Sequence, residues 1–141
     1  MAEGFARANG SDVLIAQSAG LAPALGVVPL THRVMIEKNI DLGDCYPKEL
    51  SHVDGPIDLV VNMSGHDLPA HLGTQVEVWD IHDPIGRSDE VFRQVRDEIE
   101  HRVMELIERL RARKPAGSEA ISGITQSARS KVDTRRRPTR Q

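Results

Sequence analysis

The chain has 141 residues, 39% hydrophobic and 28% charged, with a formal net charge of −3. That length suits one domain, and the balance of apolar and charged residues excludes collagen-like and wholly disordered classes. No apolar run approaches the roughly 18 residues a membrane span needs, and the single cysteine, Cys45, excludes an intramolecular disulfide and points to a reducing compartment, the cytoplasm.

The charge is unevenly placed. Residues 1–113 carry 11 Lys and Arg against 19 Asp and Glu, whereas residues 114–141 carry 7 against 2. An acidic body followed by a basic end is not the footprint of a nucleic-acid-binding domain, whose positive charge lies on the fold itself. The division is therefore a domain over 1–113 and a basic, solvated, disordered tail over 114–141.

Met1-Ala-Glu-Gly-Phe-Ala-Arg7 reads as the middle of a helix, because it carries no N-cap, and Gly10 is placed to end it in the left-handed conformation. Residues 12–17, rich in Val and Ile, read as a strand. Gly20 to Gly26 is a loop with Pro23. Pro29 suits the first turn of a helix running to about Asn39, with Leu30, Val34 and Met35 on one face. Residues 41–56 are polar and broken, with a short helical turn expected at Pro47–Leu50. Ile57 to Asn62 is the clearest strand, and its consecutive Leu59, Val60 and Val61 suggest burial on both faces, as in a parallel sheet. Gly65 to Gly73 is a loop, and Gln75 to Asp80 is a second strand. Asp83-Pro84-Ile85-Gly86 is a turn, with Ser88 as an N-cap and Asp89 and Glu90 favourably placed in the first helical turn. The last helix, 89–113, has the strongest pattern. Phe92, Val95, Ile99, Val103, Leu106, Ile107 and Leu110 form one stripe, with arginines and glutamates opposite.

Alternating strands and helices imply an α/β fold with a parallel sheet. The motifs MAEGFAR, Ser18-Ala-Gly20, Val28-Pro29-Leu30, Asp58-Leu-Val-Val61 and Asp83-Pro84, in this order and spacing, resemble the low-molecular-weight protein tyrosine phosphatases and the arsenate reductases that share their fold. The resemblance runs from Met1 to about Leu110. It implies a three-layer architecture, a parallel sheet flanked by helices as in phosphotyrosine phosphatase I, with the first strand missing. In that family the first strand and a Cys-x5-Arg phosphate loop come before the opening helix. The first strand lies between those corresponding to 12–17 and 57–62. Its absence is expected to leave unpaired strand edges, poor folding and self-association, and to reflect an internal methionine mistaken for the start of the gene.

The family's chemistry sets out which residues to seek. A cysteine thiolate attacks the phosphate, held by backbone N–H groups, a helix N-terminus and an arginine fork. An aspartic acid protonates the leaving oxygen, and its conjugate base then activates water. The resemblance implies that Asp83 is this general acid, whereas the residues alone suggest a turn-shaping Asp-Pro. Cys45 has Ser51 six places on and no glycine between, so it cannot form the phosphate nest. Asn62 to Leu72 has no cysteine pair for the internal disulfide relay of thioredoxin-coupled arsenate reductases, but a reductase coupled to a thiol cofactor escapes that objection. His66-Asp67, His71 and His82-Asp83 lack helical metal-ligand spacing, so neither a metal nor a cofactor is expected. Ser64-Gly65-His66 lacks the glycines of a nucleophile elbow. When complete, the enzyme is expected to act on phosphotyrosine protein, a small phosphomonoester or another oxyanion, with no nucleic acid or membrane partner. Arsenate reduction and a non-catalytic binding role are the alternatives, and the chain as it stands is expected to be inactive.

Overall fold

One long helix organises the molecule. The computed structural model describes residues 1–72 and 75–114, in which helix α1 is Ala2–Gly10, α2 is Pro29–Ile36, strand β1 is Leu59–Asn62, β2 is Gln75–Val78 and α3 is Asp89–Arg113. Single 3-10 turns lie at Leu50–His52 and Ala70–Leu72. The first of these follows the expected turn at Pro47–Leu50 rather than coinciding with it. The 114–141 tail falls outside the described residues except for Lys114. No helix among the described residues is long and apolar enough to cross a membrane.

Helix α3 begins where its sequence says it should. The Ser88 side chain accepts the Val91 N–H at 3.4 Å, and Asp89 and Glu90 occupy the first turn, where they favour the helix dipole. Its apolar stripe is buried from Phe92 to Ile107, and both α1 and α2 pack against it. The core joins Phe5 of α1, Met35 of α2, Trp79 after β2, and Ile99, Val103 and Ile107 of α3.

Gly10 does not act as a left-handed terminator. It lies inside α1, and the cap that follows, Ser11, is right-handed with φ −61°. The reason for glycine is contact: a Cβ there would come within 2.8 Å of Ile107 Cγ1, so the missing side chain lets α1 approach α3. Helix α2 closes near its expected end by a Schellman arrangement. Asn39 takes φ +58°, its N–H reaches Ile36 O at 2.9 Å, and the Ile40 N–H reaches Met35 O at 3.1 Å. Ile40 and Met35 are both buried, which supplies the apolar contact usual at such an end.

The sheet is parallel, with Leu59 opposite Gln75 and Asn62 opposite Val78. Leu59 and Val61 pack toward the helical core. On the alternate face of β2, Val76 is exposed and Val78 is 72% exposed, so the strands are half-buried rather than covered on both faces. Residues 12–17 form no strand, contrary to their composition. Ile15 is 94% exposed, and the only bridge near this run is the parallel pair Gly20–Glu49. An extended segment becomes a strand only through a neighbour that accepts its ladder, and among the described residues none lies beside 12–17. The element order is therefore helix, helix, strand, strand, helix.

Candidate functional site

The two parallel strands end in register, so the segments leaving Asn62 and Val78 depart from the same carboxyl edge of the sheet, the usual site location in open α/β folds. Asn62 is buried and organises the first segment. Its side-chain N–H donates to His66 O at 2.8 Å, while its Oδ1 accepts from Ser64 N at 3.0 Å and Ser64 Oγ at 2.7 Å. Gly65, at φ +71°, makes the turn within this loop without a Cβ penalty. The segment leaving β2 is secured to the end of β1, since the Trp79 backbone N–H donates to Asn62 O at 2.9 Å. From the sequence alone, Asn62 is only the end of a strand. An Asn closing an apolar run just before Ser-Gly is an Asx-turn signal and was available for the finding.

Asp83 lies on the second segment, between β2 and α3. Its Oδ1 accepts the Ile85 N–H at 3.0 Å, and the Arg87 N–H closes the turn onto Pro84 O at 2.9 Å. Gly86 follows at φ +76°. The turn is thus set by Asp83, Pro84 and Gly86 and handed directly to the Ser88 cap of α3. The carboxyl group is exposed, and the Ile85 bond is its one hydrogen bond among the described residues. The turn-shaping role is therefore met.

Helix α1 begins with a second polar group. Glu3 is buried at 6% exposure. It accepts the Ser18 hydroxyl through Oε2, and Arg7 Nη2 lies 2.5 Å from Oε1 as an ion pair without hydrogen-bond alignment. Burying a carboxylate without such partners is costly, and the hydroxyl contact fastens Ser18 to the first turn of α1. Sequence gave no sign of this burial, because a glutamate in a first turn is ordinary dipole chemistry.

Cys45 is half-buried. Burial, and then the nearby Glu3 carboxylate, push its thiol above the ordinary range, the reverse of what a thiolate nucleophile requires. It borders a shallow groove with Arg7, Asn39, Asp41 and Asp44, which does not include Asp83. His66, His71 and His82 are exposed, and no three His, Cys, Asp or Glu side chains converge to hold a metal among the described residues. The arrangement therefore offers an exposed carboxyl group on the turn between β2 and α3. The 141 residues contain no Cys-x5-Arg sequence.

Known proteins share this frame. The family model described as low molecular weight phosphotyrosine protein phosphatase matches residues 1–116. A glutaredoxin arsenate reductase of Synechocystis is 34% identical over 115 residues, covering 78% of this chain and 87% of that protein. A putative arsenate reductase of Halobacterium salinarum is 34% identical over 91 residues, 63% of this chain and 64% of that protein. Among solved structures, an arsenate reductase in the phosphate binding state superposes with a TM-score of 0.70 at 33% identity, over 77% of this chain and 86% of that one. The arsenate reductase of Archaeoglobus fulgidus gives a TM-score of 0.63 at 26% identity, over 76% and 87% of the two chains. The parallel α/β frame, the Asp-Pro turn and these matches together place the chain in the low-molecular-weight phosphotyrosine protein phosphatase family, within which arsenate reductases also fall.

Proposed function

We propose that this chain carries the scaffold and the proton-donor turn of an arsenate reductase of the low-molecular-weight phosphatase fold, one that takes its electrons from an external thiol. The observation that carries this reading is the likeness to proteins named as arsenate reductases, at 34% identity across 87% of the Synechocystis protein. The cysteine content agrees with the external source of electrons. Arsenate reduction needs two electrons, supplied when two thiols join as a disulfide, and it releases arsenite and water. The segment Asn62 to Leu72 holds no cysteine pair for an internal disulfide relay. A glutathione-type donor in the reducing cytoplasm meets that need.

Asp83 is the proton donor in this proposal. Arsenate and phosphate esters share a tetrahedral oxyanion, and departure of an oxygen from either is eased by a proton delivered as the bond breaks. The oxyanion itself needs a thiolate and a loop of N–H donors, and the 141 residues supply neither as a Cys-x5-Arg sequence. On its own, the chain is therefore without turnover.

The test joins a family strand and Cys-x5-Arg loop ahead of Met1 and measures two reactions: arsenate reduction with glutathione and glutaredoxin, and aryl phosphate hydrolysis. Faster arsenate reduction supports the proposal. Phosphate hydrolysis without arsenate reduction overturns it in favour of a phosphatase. In the joined protein, Asp83→Ala should slow turnover by roughly 10²–10⁴-fold, the usual weight of a positioned general acid. An unchanged rate assigns Asp83 to the turn alone.

A further inference from the structure

We draw no further inference here: the strongest candidate, the segment 12–17, which presents Ile15 to solvent and pairs with no strand, carries nothing because nothing among the described residues shows what covers its exposed apolar side chain.

Discussion

The helical side of the molecule and its strand side are built to different standards. Helices α1 and α2 lie on α3 with Phe5, Val34, Met35 and Ile107 wholly buried, and charged side chains clasp the seams. Arg96, itself buried, donates to Val34 O at 2.9 Å and to Glu37 at 2.6 Å. Arg93 holds the same Glu37 carboxylate through both oxygens, and Lys38 reaches Glu100 at 2.8 Å. At the other seam Arg111 grips Asp12 twice at 2.9 Å. The strand side has two four-residue strands, an exposed valine face and the uncovered run around Ile15. Among the described residues, the Arg109–Glu77 pair, at 2.8 and 2.9 Å, is the one polar tie from β2 to α3. Stability is therefore concentrated in the helices, whereas the candidate acid sits on the less supported half.

Substitutions should expose this contrast. The largest effect is expected for Phe5→Ala, which empties a fully buried site and should cost about 3–5 kcal/mol in urea unfolding. Ile15→Ala, on the open run, should stay within about 0.5 kcal/mol. Equal losses at the two positions would erase the distinction. Gly10→Val should cost about 1–3 kcal/mol by overpacking against Ile107, even though leaving glycine inside a helix recovers up to ~1 kcal/mol of propensity. Gly26→Ala, with nothing within 4 Å of the added Cβ, should leave the unfolding midpoint in place.

Arg96→Met keeps the apolar stem of the side chain but leaves Val34 O and Glu37 without that donor. A loss of about 1–3 kcal/mol is expected, readable as a lower urea midpoint with an unchanged slope. The smallest effect concerns pH. Arg93 and then Arg96 hold the Glu37 carboxyl down from 4.5 to about 2. Because the folded pKa is depressed, this contribution is complete above about pH 4.5 and is lost as pH falls through about 2. Glu37→Gln should accordingly flatten the fall of thermal midpoint between those values. An identical slope in the variant would remove Glu37 from the acid response.

Much of the helical side was legible in the chain. The α3 stripe, its Ser88 cap and its end at Arg113 were all readable, since a 3.6-residue period and a capping side chain are local signals. Pro29 likewise marked the first turn of α2. What failed were judgements that depend on neighbours. The apolar composition of 12–17 suggests a strand, but a strand also requires a partner to accept its backbone hydrogen bonds. Gly10 was read through its backbone freedom, whereas its role comes from Ile107, 97 positions away. At the candidate site, Asp83 could be picked out from its Asp-Pro turn and order in the chain. The hydrogen bond it accepts from the Ile85 N–H and the Asn62 network needed the fold. Glu3 was hidden for the same reason, because its burial depends on Ser18 returning across α1.

The most direct test of the central claim is arsenate turnover by the 141-residue chain with glutathione, glutaredoxin and glutathione reductase, followed through NADPH consumption. A scaffold with Asp83 but without a Cys-x5-Arg loop predicts a rate equal to the protein-free control. Chain-dependent turnover that disappears in Cys45→Ser would contradict that account and make Cys45 the nucleophile.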